Sequence, residues 1–348
     1  MSHDYKAVQW TPFKKRFDRW MLIGIAVYLI LFIVLGGIFQ PPGESIQPVQ
    51  AVIRATGTLA FLLLTFILCI GPLARLTDRF KPFLYNRRHL GVTTFLIALV
   101  HAALVIMWYH GFSETNPLVS VFISNPRYDS LAGFPFEVLG LVALIILFLM
   151  AATSHDFWNA NLGPGTWKAL HMGVYVAYAL LIAHVALGAI QFEKSPVYVA
   201  LLAAGASVVT ALHLGTGLAT LGKRDRAETD GWLKVAAVAD MEDARAKIVR
   251  PADGEAIAVF RDGSQVTAVS NVCRHQGGPL GEGKIVDGCI TCPWHGFQYR
   301  MEDGQSPPPF TEKIATYATR IVEGVVYVNP DPNPPGTPQA PSEIGADA

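Results

Sequence analysis

The chain is 348 residues long and carries 27 Lys+Arg against 27 Asp+Glu, a formal net charge of zero. Only 16% of its residues are charged and 51% are hydrophobic, where soluble domains carry about 25% charged residues; this excludes an ordinary soluble enzyme and a disordered chain, and indicates a membrane protein. The zero conceals a split, because residues 1–222 hold 14 basic and 9 acidic side chains while residues 223–348 hold 13 and 18.

A spanning helix needs about 20 mostly apolar residues. Residues 1–19 read as a basic N-terminal arm. Residues 20–222 read as a membrane domain with six uncharged stretches, at 20–43, 55–74, 89–113, 138–155, 169–192 and 195–222. The first follows Lys14, Lys15, Arg16 and Arg19 as a signal peptide would, but its apolar run is too long and no small-residue cleavage site follows at Gln40-Pro41-Pro42. It therefore reads as a retained helix. The fourth starts near Gly133, bringing Glu137 to a membrane face where a charge is tolerable. Basic residues gather in the arm, in residues 75–88 and at Lys223, Arg224 and Arg226, and are sparse in the alternate loops. Both ends of a six-helix transmembrane bundle are thus expected in the cytoplasm.

Residues 223–231 read as a linker. From there short β-rich segments appear, at 256–260, 266–269, 285–290 and 321–328, with turn signals such as Asp262-Gly263 and Asp303-Gly304 between them. An all-β domain is expected over residues 232–330, then a Pro-rich tail, 331–348, that lacks aromatics and is expected to be disordered. The fold class is a multi-domain membrane protein, a six-helix bundle followed by an all-β domain.

The β domain carries Cys273-Arg274-His275, then 16 residues, then Cys292-Pro293-Trp294-His295. Zinc also takes two Cys and two His, but zinc-finger spacing pairs Cys with Cys and His with His. Here each cluster supplies one thiolate and one imidazole. That layout suits a [2Fe–2S] centre with two thiolates on one iron and two imidazoles on the other. The candidate ligands are Cys273, His275, Cys292 and His295, while Cys289 reads as a buried strand thiol.

Imidazoles are rare in spanning helices, yet the third stretch holds His89, His101 and His110, the fifth His171 and His184, and the sixth His213. If the third and fifth spans start at one face, His89 and His171 share a level and His101 and His184 share another, about 18–20 Å further along. Each level can hold a b-type haem between two imidazoles, so one or two haems are expected, with His101, His184, His171 and His89 as ligands. Neither separation returns to the same face of an ideal helix, so bends or different haem azimuths are required. His155 and His213 are rivals of His89. His110 lies half a turn away from His101 and reads as an outer-interface histidine. Arg87 and Arg88 could pair with haem propionates or anchor at lipid head groups.

Residues 232–330 resemble Rieske domains: box one reads CRHQGGPL, box two CPWHGFQY, and Ser306-Pro307-Pro308-Pro309 matches the proline-bearing loop over the cluster. The resemblance implies one Rieske-type [2Fe–2S] cluster. It also implies no bridging disulfide, because the extra cysteines of respiratory Rieske proteins fall on Gly278 and Trp294, which suits a reducing cytoplasm. Phe297 stands where high-potential members have Ser, although Tyr299 is retained, so the potential is expected in the lower part of the Rieske range of about −150 to +300 mV.

Residues 51–220 resemble the ferric-reductase-like transmembrane domain of NADPH oxidases, ferric reductases and the haem subunit of the periplasmic methionine-sulfoxide reductase system. Arg87-Arg88 followed by His101, and Leu170-His171-Met172-Gly173-Val174-Tyr175 with His184 thirteen residues after His171, carry that resemblance. It implies His101, His184 and then His171 as haem ligands.

No G-x-G-x-x-G strand–turn–helix unit and no nucleic-acid signature is present, and no oxygenase catalytic domain is expected after the cluster domain. The expected activity is that of an electron-transfer oxidoreductase without its own flavin or NAD domain. A cytoplasmic donor (a flavin reductase, ferredoxin or similar) reduces the cluster, and electrons pass through membrane haem toward a periplasmic or quinone acceptor. Lipid is the other partner, and the inner (plasma) membrane the expected location, with both termini and the Rieske domain in the cytoplasm. A reverse conduit from quinol to a cytoplasmic acceptor and a membrane redox sensor are the alternatives. The charge split leads to a further expectation, that the acidic domain docks near residues 75–88.

Overall fold

The computed structural model describes residues 12–39, 46–155, 158, 162, 164–192, 196–220, 225, 230–294 and 296–345. They fall into two compact units, one helical and one holding all the strands.

The helices run α1 (Pro12–Ile38), α2 (Pro48–Leu76), α3 (Lys81–Tyr85), α4 (Arg87–Val105), α5 (Pro117–Ile123), α6 (Phe136–Ala152), α7 (Pro164–His171), α8 (Gly173–Leu187), α9 (Ala189–Phe192) and α10 (Pro196–Thr220); residues 164–168 of α7 and 216–220 of α10 belong to the unit that holds the strands, the rest to the helical unit. Lipid offers no hydrogen-bond partner, so an apolar segment that enters it must close its own backbone bonds, which a helix does. Pro12, Pro48, Pro117, Pro164 and Pro196 each stand first in their helices, where the missing N–H is no loss. The centre of the unit is built from Phe61, Leu64 and Leu68 of α2, Ala143 and Leu147 of α6, Ala177 and Tyr178 of α8, and Leu202 and Val209 of α10. Phe61 stacks on Tyr178 with ring centroids 5.6 Å apart, and the Tyr178 hydroxyl pairs with that of Thr65 at 3.0 Å. Large apolar side chains such as Leu22, Ile30 and Val34 of α1 stay exposed.

Among the described residues, five helical segments are long and apolar enough to cross a membrane: Pro12–Ile38, Pro48–Leu76, Arg87–His110, Gly165–Gln191 and Pro196–Leu218. The fourth expected span is a shorter apolar helix of 17 residues, Phe136–Ala152. Helix α1 starts at Pro12, so the second half of the expected arm is helical. The third expected span changes winding after Val105, where Ile106–His110 forms a π turn. The fifth is interrupted at Met172 and again at Gly188. At Gly188 a Cβ would lie 2.4 Å from the Phe136 ring and 2.7 Å from the His184 carbonyl, so the close approach of α6 requires glycine there.

In the second unit, β1 (Leu233–Ala237), β10 (Val325–Val328) and β9 (Thr319–Val322) form one antiparallel sheet. A second has the order β11 (Ser342–Glu343), β4 (Gln265–Ser270), β3 (Ile257–Asp262), β2 (Ala246–Val249), with β8 (Thr316–Tyr317) also on β4. A third is the meander β5 (Lys284–Val286), β6 (Cys289–Thr291), β7 (Gln298–Arg300). Ile257, Val259, Val266, Ala268, Val326 and Val328 form one core. Ala258, Phe260 and Val269, on the opposite faces of β3 and β4, join Cys273, Cys292, Phe297 and Tyr299 in the other. The period of two along a strand thus feeds both cores.

Two segments expected as single strands are hairpins. Val286 pairs with Cys289 across Asp287-Gly288, and Val322 with Val325 across Glu323-Gly324. All four turn residues have positive φ, as a two-residue type I′ turn demands. The expectation of a disordered tail is corrected. Ser342 and Glu343 pair with Val266 and Gln265, the Asn333 amide donates to the Gln339 carbonyl oxygen at 3.0 Å, and Gly336 N–H donates to the Ile314 carbonyl at 3.1 Å. Backbone pairing needs no aromatic side chain, so composition alone misses it.

Candidate functional site

The two cysteine boxes are backbone copies of each other. In the first, Cys273 N–H donates to the Gly278 carbonyl at 2.8 Å and Gly277 N–H to the Cys273 carbonyl at 2.7 Å. In the second, Cys292 N–H donates to the Phe297 carbonyl at 2.8 Å and Gly296 N–H to the Cys292 carbonyl at 3.0 Å. Gly277 and Gly296, each four residues after its cysteine, have φ of 70° and 73°, a left-handed turn that glycine enters without penalty. The meander β5–β6–β7 carries the second box between β6 and β7, and β4 delivers the first.

The loops meet at their thiols. Cys273 and Cys292 are both buried and lie within hydrogen-bonding reach of each other. A Cβ at Gly278 would sit 2.8 Å from Cys292 Sγ and 3.1 Å from the Trp294 ring, so this glycine keeps the space between the boxes open. None of the four cysteines forms a disulfide, as expected from Gly278 and Trp294. The Tyr299 hydroxyl accepts from Arg274 N–H at 2.9 Å and therefore turns its own hydrogen to Cys273 Sγ, 3.4 Å away. Burial acts to raise the Cys273 thiol, but the hydrogen bonds from Cys292 and Tyr299 and the neighbouring His275 outweigh it and hold the group below the usual thiol range. Burial and the adjacent Cys273 push Tyr299 far upward, so it stays a donor. The His275 ring lies flat on Phe297, centroids 4.7 Å apart at 5°.

These residues fit a [2Fe–2S] group. The donor set is two soft thiolates with imidazole, and the thiol chemistry favours the ligating thiolate. Gln276 is 1% exposed, yet neither atom of its amide finds a partner among the described residues, and the buried Ser306 hydroxyl in the proline loop does not either. Buried polar donors almost always have partners, and cluster sulfurs would accept from the Gln276 amide N–H and the Ser306 hydroxyl. His295 lies outside the described residues. Cys289 is half-buried in β6, and burial raises its thiol, as suits a strand side chain.

In the helical unit His101 of α4 and His184 of α8 lie within electrostatic reach of each other. Nδ1 of His101 bonds the Ile53 carbonyl at 3.0 Å, and Nδ1 of His184 bonds the Phe136 carbonyl at 2.8 Å. A carbonyl only accepts, so both imidazoles carry their proton on Nδ1 and keep the Nε2 lone pair for a metal. The backbones of α2 and α6 press on the two rings: a Cβ at Gly57 would lie 2.8 Å from His101 Cε1, and one at Gly140 2.8 Å from His184 Cε1. Two neighbouring imidazoles with fixed tautomers match the donor set that a bis-histidine haem requires. Sequence reasoning missed both glycines, although each stands one helical turn after the acceptor residue.

The remaining histidines have other partners. His89 Nδ1 lies 2.7 Å from Asp18 Oδ1 of α1. His110 is buried at the end of the π turn with Nδ1 2.9 Å from Ser120 Oγ of α5. His213 Nδ1 bonds the Val209 carbonyl of its own helix at 3.0 Å and its ring stands edge-on to Tyr175. His171 closes α7 next to the break at Met172, and His155 is exposed.

Comparison with known proteins matches both halves. Residues 56–182 match the family described as ferric reductase like transmembrane component, and residues 231–318 match the Rieske [2Fe-2S] domain. The chain is 30% identical over 189 residues to the protein-methionine-sulfoxide reductase heme-binding subunit MsrQ of Ralstonia nicotianae, covering 52% of this chain and 81% of that protein. It is 40% identical over 81 residues to the anthranilate 1,2-dioxygenase ferredoxin subunit of Burkholderia cepacia, 23% of this chain and 75% of that one. It is 33% identical over 98 residues to ferredoxin CarAc of Metapseudomonas resinovorans, 28% of this chain and 92% of that one.

Proposed function

Because the chain belongs to the ferric-reductase-like membrane family, in a form that carries a Rieske [2Fe–2S] domain on the same polypeptide, we propose that it is a single-chain electron conduit across the inner membrane. When bound, the cluster and the haem supply one-electron transfer; the polypeptide supplies ligation, spacing and exclusion of water. The observation that carries the reading is the presence, on one chain, of paired cysteine boxes and a neighbouring pair of tautomer-locked histidines.

In this reading Cys273 and Cys292 hold one iron, and His275 and His295 the other. His101 and His184 hold a b-type haem. His171 and His89 are the ligands of a second, and the Asp18 carboxylate on His89 Nδ1 is the outer partner that aims Nε2 and raises its basicity. The bundle has six spans, with the 17-residue α6 crossing between longer neighbours. Both termini and the cluster domain are cytoplasmic, and electrons run from a cytoplasmic flavin reductase or ferredoxin toward a periplasmic or quinone acceptor.

Purified protein tests this directly. Low-spin b-haem bands and a Rieske-type electron paramagnetic resonance signal from one polypeptide are the expected result, and the absence of either sinks the conduit.

One observation favours the reverse direction. Phe13, Phe17 and Trp20 of α1, Leu63 and Phe66 of α2, and Phe83 of α3 line an apolar cleft of about 510 Å³, in the size range of small-molecule sites. An apolar space of this size is suited to a quinol ring. Potentiometry separates the directions: a cluster well above the haem in potential supports electron entry from quinol.

A further inference from the structure

The two ligand histidines sit in half-sites that are copies of one unit. Ile53 and Phe136, Gly57 and Gly140, and His101 and His184 each stand 83 residues apart. In both halves the acceptor carbonyl lies 48 residues before its histidine and four before its glycine. The contacts repeat as well: Nδ1 on the carbonyl at 3.0 and 2.8 Å, and the Cε1 edge over the glycine at the same 2.8 Å from a would-be Cβ.

The local geometry says why glycine is there. A helix carbonyl points along the axis at the N–H four residues on, so the side chain at that position covers the carbonyl's second lone pair. Glycine removes the cover. An imidazole from the next helix can then slide against the backbone and donate to the carbonyl while the helix keeps its own bond. On α2 the Thr56 hydroxyl also approaches the Ile53 carbonyl, at 3.1 Å, and the Val52 carbonyl, at 2.8 Å; α6 has Leu139 at the equivalent place. Glycine, not threonine, is the shared element.

We propose that Gly57 and Gly140 are positioning residues for haem. Each exposes one carbonyl to the histidine of the neighbouring helix, fixes its Nδ1–H tautomer and sets the ring plane at which Nε2 meets the iron. The proposal rests on the reading of His101 and His184 as haem ligands. Alanine is the better helix former, so Gly57→Ala and Gly140→Ala favour the helix itself and act only through the ring, which a Cβ at 2.8 Å must displace.

The test uses the full-length protein in detergent. Gly57→Ala and Gly140→Ala are compared with Gly71→Ala in α2 and Gly91→Ala in α4, where a Cβ meets nothing within 4 Å. Haem retention, the low-spin g values and the haem potential are measured, with the Rieske signal as the marker of an intact chain. The expected result is haem retention about 10-fold weaker, the usual scale for losing an outer partner of a ligating histidine, together with shifted g values in both test variants and none in the controls. In the wild type, electron–nuclear double resonance is expected to show one exchangeable Nδ1 proton on each of two imidazole ligands, which reads the hydrogen bonds without any substitution. Wild-type g values and retention in both alanine variants would overturn the proposal. Equal shifts in the two controls, or a wild type lacking those protons, would overturn it as well. Wild-type haem content with unchanged low-spin signals in His101→Ala and His184→Ala would instead bring down the ligand reading beneath it.

Discussion

Replacing Tyr299 by Phe removes one oxygen from a fully buried ring whose hydroxyl points at Cys273 Sγ across 3.4 Å and accepts from Arg274 N–H at 2.9 Å. A hydrogen bond to a charged group contributes about 1.5–3 kcal/mol net. Reduction adds one negative charge to the cluster, so the O–H stabilises the reduced state more than the oxidised one. If roughly half of that bond is differential, about 0.75–1.5 kcal/mol is lost on substitution, and at 59 mV per 1.4 kcal/mol for one electron the potential falls by about 30–65 mV. Phe297 and Phe310 keep the pocket apolar, and the stacked His275–Phe297 pair is untouched, so the signal itself persists. The assay is a redox titration at fixed pH followed by the Rieske resonance. An unchanged or raised potential with an intact signal would refute the assignment of Tyr299 as a donor to the cluster sulfur.

Other outcomes follow from the same geometry. Cys292→Ser is expected to abolish the cluster signal and leave the haem bands, and loss of both would contradict two independent modules. His184→Ala is expected to remove the low-spin signal of the haem held by His101 and His184 and lower the haem content, while the second haem's bands and the cluster signal remain at wild-type intensity. Gly304 has φ +65° and a Cβ there would lie 2.6 Å from the Ile314 carbonyl, so Gly304→Ala should cost about 1–3 kcal/mol, read as a lower temperature for loss of the cluster's visible absorption. A cytoplasm-active reporter fused after Ala348 should be active, and activity only of a periplasmic reporter would reverse the topology.

The chemistry of this protein was legible in the sequence because metal ligation depends on residue type and short spacing. Cys273, His275 and Cys292 announce themselves in this way, and the periodicity of uncharged stretches does the same for the helices. Asp287-Gly288 and Glu323-Gly324 show where such reading stops: each lies inside a run of apolar residues that looks like one strand, and positive φ at both positions turns it into a hairpin. The tail is similar, since the pairing of Ser342 and Glu343 with β4 uses backbone groups that every residue has.

Histidine roles divide along the same line. Sequence spacing set His101 level with His184 and His89 level with His171, and it could place them no more closely than a helical turn. Tertiary structure decided what each Nδ1 meets: the carbonyls of Ile53 and Phe136 for the first pair, the Asp18 carboxylate for His89, the Ser120 hydroxyl for His110. The partners of His101, His184 and His89 come from helices far away in sequence, and a hydrogen bond is selective over tenths of an ångström. The composition that marked the chain as a membrane protein depends on no such distance, and so needed no structure; the seat of each imidazole depends on nothing else.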